Sequence, residues 1–255
     1  MDEVNKRKRV DNVSSALDLV DLLYKLKTTK RTGWVLKGVK EPESIADHMY
    51  RMSIMAMLAC ETERREGKDE ASDSDSSVQK SLDANRCIKM ALVHDLGESI
   101  VGDFTPHCKV SKDEKYRLER DAMAKIRCMI EGAVGEGEGL GSEVEELWLE
   151  YEEGKSPEAL LVKDLDKIEM IAQAYEYEND QDHVDLEDFF QSTSGKFVTI
   201  TGKKWAEEIV RRRIAVLKKR AQLKKEALNG QEQEEGQIPQ DEMASSAKRL
   251  RSEKE

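Results

Sequence analysis

The stretch Ile88-Lys89-Met90-Ala91-Leu92-Val93-His94-Asp95-Leu96-Gly97-Glu98 limits what this chain can fold into more than any other. A segment apolar on nearly every side is expected to be buried on nearly every side. It ends in an imidazole beside a carboxylate, and two more acids, Glu98 and Asp103, follow. An ionised carboxylate in a core is costly unless a cation or hydrogen bonds compensate it. His94 and Asp95 therefore point to a bound metal ion.

Two other stretches bear on that ion. Upstream, Glu43-Ser44-Ile45-Ala46-Asp47-His48 sets a histidine at the start of an expected helix, 44–65, with Met49, Met52, Ala56 and Ala59 at helical spacing. Downstream, Lys163-Asp164-Leu165-Asp166-Lys167-Ile168-Glu169 places two aspartates in another, 157–177. Spacing alone does not choose between Asp164 and Asp166. Two imidazoles with two carboxylates suit borderline or harder divalent ions and leave coordination positions open. Each residue also has a plain reading, as a surface His-Asp pair or a core histidine. With only four histidines in the chain, two on one ordered pattern favour the metal.

The rest of the pattern is helical. Residues 1–12 read as a loose charged lead, with Ser14 or Ser15 capping a helix to Lys27 that turns Leu19, Leu22, Leu23 and Leu26 inward. Residues 28–42 read as a loop and 66–83 as a flexible acidic insert. The central helix, 83–96, is expected to stop at Gly97. Ser111 and Glu114 fit a capping box opening a helix at 111–131. Beyond the Gly-rich stretch 132–141 come helices at 143–153 and 157–177, the latter with a stripe of Leu161, Leu165, Ile168, Ala172 and Tyr175. A last helix at 203–228 would carry Val210, Ile214, Leu217 and Ala221 inward, and 229–255 reads as a disordered polar tail. Few segments alternate with strand period. The expectation is an all-α chain with one helical bundle at 13–228.

A net charge of −11 argues against binding a nucleic-acid polymer but not against a small anionic substrate. Cys60, Cys87, Cys108 and Cys128 have no metal or disulfide spacing and read as reduced thiols of a cytosolic or nuclear protein. Lys6-Arg7-Lys8-Arg9 has the composition of an import signal and equally of a solvated basic tail. No stretch is apolar and long enough to suggest a membrane span, and none reads as a signal-peptide core.

The order His48, His94-Asp95, Asp166, together with Arg31-Thr32-Gly33-Trp34, Glu98 and Gly102-Asp103-Phe104-Thr105-Pro106, resembles the HD-domain metal-dependent phosphohydrolases. Within them it is similar to the 5′-deoxynucleotidase branch, over residues 14–220. The family pattern, Asp followed by Lys-hydrophobic-acid, selects Asp166 over Asp164. The resemblance implies His48, His94, Asp95 and Asp166 as ligands of a divalent cation, Mn²⁺ or Co²⁺ ahead of Mg²⁺. It implies Glu98 as acid/base, or as ligand of a second ion with Asp103; the alternative is that Glu98 caps the turn 98–101. It also implies Arg31 as the catalytic grip on the substrate phosphate, which an Arg fork can bind through two bonds. Trp34, Asp103 and Thr105 would line the substrate, a deoxynucleoside 5′-monophosphate, in a homodimer. Trp34 stands three positions after Arg31, where bacterial members have it adjacent. His107 and His183 fit no pattern and are assigned to the surface.

Other branches fit less well. Guanosine tetraphosphate hydrolases carry Glu and Asp side by side where Glu98 is followed by Ser99, and triphosphatases and cyclic nucleotide enzymes use more histidines. A silent helical binding module would show a broken ligand set, and this one is complete.

Overall fold

The computed structural model describes residues 3–69, 82–105, 108–135 and 139–235. Ten helices appear among them: α1 (Glu3–Thr28), α2 (Thr32–Leu36), α3 (Ile45–Asp69), α4 (Ala84–Val93), α5 (Glu98–Val101), α6 (Lys112–Val134), α7 (Leu140–Glu153), α8 (Pro157–Asp180), α9 (Glu187–Thr193) and α10 (Ile200–Glu235). Their only β pairing is an isolated antiparallel bridge between Lys30 and Ser44. The all-α expectation holds.

The chain divides into two units, Met1–Ile209 and Val210–Glu255, with the division inside α10. In the first unit the apolar faces of α1, α3, α4, α6, α7 and the first half of α8 build one core around Met52, Met90, Ile126, Trp148 and Leu165. A second core gathers Trp34, Val39, Ile171, Ala174, Leu186 and Phe190. Helix α8 runs through both cores. Asp166 and Glu169 lie on it between Leu165, in the first, and Ile171, in the second.

Local chemistry starts several helices where the sequence reading does. Ser111 Oγ accepts from Glu114 N at 3.1 Å to open α6, though the Glu114 carboxylate turns to Arg117 rather than closing the box. Ser156 caps α8 with Pro157 in its first turn.

Elsewhere the structure departs from expectation. Helix α1 starts at Glu3, so neither Ser14 nor Ser15 is a cap. The loop 28–42 contains α2, and α3 runs on to Asp69. Residues 70–81 of the expected insert, and 236–255 of the expected tail, lie outside the described residues. Gly97 is not a left-handed stop: its φ and ψ are −57° and −29°, and the chain turns through 94–97 directly into α5. The central run is less fully buried than its composition suggests, since Leu92 is exposed. Helix α9 has no counterpart in the expected elements. In the second unit Val210, Ile214, Leu217 and Ala221 are exposed rather than inward.

Asp164, the aspartate not chosen by the family pattern, has a structural task. Its Oδ2 accepts from Val198 N (2.8 Å), Thr199 N (2.7 Å) and Thr199 Oγ1 (2.9 Å), pinning the entry to α10. Gly202 passes so close that a Cβ there would press on the Asp164 carboxylate and come within 2.8 Å of Thr199 Oγ1. Gly202→Ala should therefore destabilise by about 1–3 kcal/mol, the cost of disturbing a buried hydrogen-bonded acceptor. Ser111→Ala, which removes one exposed cap, should cost about 1 kcal/mol. Urea titration of both variants checks the order.

Candidate metal centre

His48 sits one turn into α3, fully buried, with Nδ1 2.6 Å from Glu169 Oε2. Glu169 is buried too, and its other oxygen accepts from Arg51 Nε at 2.7 Å. His94 follows directly on α4, with Nδ1 3.0 Å from the Ala91 carbonyl and its ring 4.9 Å from that of Tyr151. Each imidazole thus has one nitrogen engaged. The Nε2 atoms of both are buried with no hydrogen-bond partner.

Carboxylates face those two nitrogens. Asp166 Oδ1 is 3.4 Å from His48 Nε2. Asp95 Oδ2 is 3.3 Å from His94 Nε2 and 3.8 Å from His48 Nε2. One donor atom from each of His48, His94 and Asp166 lies within 4.8 Å of the others. Atoms bound to one ion at about 2 Å sit roughly 3–4 Å apart, so the donors present fit a shared cation. Glu43, His48 and Glu169 also cluster. There, however, His48 Nδ1, Glu169 and Arg51 are already bonded to one another, and Glu43 Oε1 accepts from Trp34 Nε1 at 2.9 Å. That grouping is a satisfied network behind the open face.

The charges are strongly coupled. Burial and Arg31 act to lower the His48 pKa, but the facing carboxylates of Asp166 and Glu169 prevail and raise it to about 9. Burial works against ionisation of Asp95, yet His94, Arg31 and His48 hold its pKa well below the carboxylate range. Asp166 is likewise held low by His48 and His94 against its burial. Glu98 goes the other way. Burial first, then Asp95 and Asp103, push its pKa well above normal, and its Oε2 has no partner. Nothing in the turn 98–101 engages that oxygen as a cap would.

These groups open on a cavity of about 930 Å³ lined by Arg31, His94, Asp95, Glu98, Asp103, Thr105 and Asp166 among others. Arg31 Nη1 pairs with Asp95 Oδ2 at 3.0 Å and lies 3.9 Å from Asp103 Oδ1. Asp103 also takes the Thr32 backbone N–H, while Thr32 Oγ1 donates to the Asp103 carbonyl at 2.9 Å. Gly102, with φ +81°, makes the turn that brings Asp103 round to α2. Asp103 thus braces the start of α2 and the charge of Arg31 together. Trp34 borders the cavity but is only 2% exposed, with its N–H bonded to Glu43 and its ring covered by Phe189 at 4.4 Å. Trp34, expected at the substrate, thus borders the cavity as a largely buried ring. Pro106 and His107 lie outside the described residues, and His183 is exposed.

Residues 23–207 match the family model described as HD domain. The chain belongs to the HD-domain family. It is 50% identical over 189 residues to the 5′-deoxynucleotidase HDDC2 of Dictyostelium discoideum, covering 72% of this chain and 91% of that one. The human 5′-deoxynucleotidase HDDC2 is 44% identical over 185 residues, with 72% and 78% covered. Among solved structures, the PH0347 protein of Pyrococcus horikoshii OT3 superposes with a TM-score of 0.59 at 30% identity, over 77% of this chain and 97% of that one.

Three residues of this HD domain outside the expected ligand set support the cluster. Glu169 and Arg51 brace His48, and Tyr151 OH donates to Asp166 Oδ2 at 2.9 Å while its ring packs on His94. Glu169 was signalled by the acid that closes the Asp166-Lys167-Ile168-Glu169 pattern. Tyr151 had no local signal. Partners of this kind set ligand orientation. Glu169→Gln and Tyr151→Phe should each weaken Mn²⁺ binding on the order of 10- to 100-fold, read by calorimetry on the full chain, with the helical circular dichroism unchanged.

Proposed function

We propose that this HD-domain protein is a metal-dependent 5′-deoxynucleotidase, releasing orthophosphate from deoxyribonucleoside 5′-monophosphates. The observation that carries this reading is the pair of buried, unpartnered Nε2 atoms of His48 and His94 facing Asp95 and Asp166, with His94, Asp95 and Asp166 bordering an open cavity. The relatives named 5′-deoxynucleotidase narrow the substrate class.

His48, His94, Asp95 and Asp166 would hold the ion, and imidazole with carboxylate suits Mn²⁺ or Co²⁺, with Mg²⁺ also accommodated. When bound, a divalent cation supplies Lewis-acid stabilisation of phosphoryl charge and acidifies water. Arg31, braced by Asp95 and Asp103, offers its fork to the phosphate oxygens. Glu98, with an unpartnered oxygen in the same wall, holds the proton destined for the departing 5′-oxygen. Asp103 braces Arg31, and with Glu98 is the pair that a second cation would use. Thr105 borders the substrate. Glu98 is followed by Ser99, whose hydroxyl donates to the Leu96 carbonyl at 2.8 Å, and not by the second acid of the tetraphosphate hydrolases.

A homodimer accompanies this reading. Val13, Leu17, Val20 and Tyr24 form an exposed stripe on α1, and Tyr50, Ile54, Met57 and Leu58 another on α3, which packs against α1. Apolar stripes of this extent mark association surfaces. The free thiols of Cys60, Cys87, Cys108 and Cys128 agree with a cytosolic or nuclear setting, and no helix of the described residues is long and apolar enough to cross a membrane.

Phosphate release from dAMP and dCMP should require added Mn²⁺ or Co²⁺ and vanish on chelation. His94→Ala should lower kcat at least about 1,000-fold, since removing a ligand removes most of the electrostatic stabilisation. Turnover of triphosphates alone, or metal binding without turnover of any nucleotide, would sink the reading. The double variant Leu17→Glu, Ile54→Glu should sediment as a monomer where the parent chain sediments as a dimer.

A further inference from the structure

The cavity has an apolar end that the phosphate chemistry leaves unused. Asp166 and Met170 are one turn apart on the same face of α8, and both border the cavity. Past Met170 the wall continues with Phe189 of α9, which stacks on Trp34 at 4.4 Å with 32° between the rings. Gly33 contributes no side chain beside it: a Cβ there would touch the Phe189 ring at 3.4 Å. The ring therefore has Trp34 on one face, Gly33 at its edge, and remains only partly buried. Its position is fixed from both sides. Glu178 Oε1 accepts from Leu186 N at 3.0 Å at the start of α9, and Lys37 Nζ at the end of α2 pairs with the neighbouring Asp188 at 2.5 Å.

We propose that Phe189, backed by Trp34 and flanked by Met170, is the platform on which the nucleobase of the substrate stacks. This rests on the nucleotidase reading and names the part of the cavity that holds the base. Three features carry it. The platform shares one cavity with Arg31 and the candidate metal ligands, so one nucleotide can span both. Arg31 and Gly33 are two residues apart on either side of the start of α2, so the phosphate grip and the base wall are set by the same short helix. A ring already stacked on a second ring is rigid, and an aromatic face accepts any base, since each has a π-face. Beside Phe189 the wall offers Leu36, Met170 and the exposed Ser192, while the charged groups of Lys37 and Asp188 are engaged with each other. The reading therefore implies little discrimination among bases beyond stacking strength, with purines held better than pyrimidines.

The test compares substrates with and without a base on the full chain. Phe189→Leu should raise KM for dAMP and dGMP on the order of 10-fold or more, and for dCMP less, the effect expected for losing one base–aromatic stack. Hydrolysis of 2-deoxyribose 5-phosphate, which has no base, should be unchanged, and Phe189→Tyr should restore the dAMP KM. Equal loss on dAMP and on the base-free ester would overturn the proposal and make Phe189 a packing residue of the Trp34 core. An unchanged dAMP KM in Phe189→Leu would overturn it as well. Failure of the parent chain to hydrolyse either compound would instead defeat the underlying nucleotidase reading.

Discussion

The structure depends on a contact that apolar packing alone would not select: His48 of α3 against Glu169 of α8, with Arg51 closing the charge. All three come from two helices, and Arg51 also reaches Gln173 and Glu176 further along α8. Glu169 is completely buried, and a buried carboxylate left unpaired would be strongly destabilising. Pairing it with His48 and Arg51 sets the register of α3 against α8. The same pairing turns His48 Nε2 away from Glu169 and toward Asp166 and Asp95.

What results is a site folded before it is filled. Two imidazole nitrogens and one oxygen of Glu98 stay buried without partners, each a group whose desolvation costs about 1–3 kcal/mol when nothing compensates it. The surrounding bundle makes that tolerable. Trp148, Met90, Leu161 and Leu165 are almost wholly excluded from water around the cluster, and each fully buried side chain of that size contributes about 1.5–3 kcal/mol. A cation that binds the folded chain and not the unfolded one offsets the deficit by mass action.

The division of labour between the two aspartates of α8 has the same logic. Asp164 and Asp166 are two positions apart, so their side chains leave the helix in different directions. Asp164 meets the backbone N–H groups at the entry to α10, and Asp166 meets His48 and Tyr151. Asp164 is fully buried and Asp166 lines the cavity, and neither could exchange roles without the helix rotating. Spacing could not separate them because the distinction lies in what stands opposite each one.

The amino-acid sequence by itself determined that the chain is helical, and it identified the residues able to hold a cation. The apolar spacing of α3, α6 and α8 sets the buried faces, Ser111 and Ser156 start their helices through local hydrogen bonds, and His48, His94-Asp95 and Asp166 are chemically distinctive wherever they stand. Short-range chemistry of that kind is written in consecutive residues. Tertiary structure decided the rest. Helix α2 takes an N–H partner from Asp103, 71 positions away, and α9 is held by Glu178 and Lys37, so neither has a strong local signature. Tyr151 reaches Asp166 only because α7 and α8 pack side by side. The plugging of Trp34 and the platform of Phe189 exist only once two distant segments bring their rings together. Such contacts depend on the closure of long loops, and no window of neighbouring residues contains them.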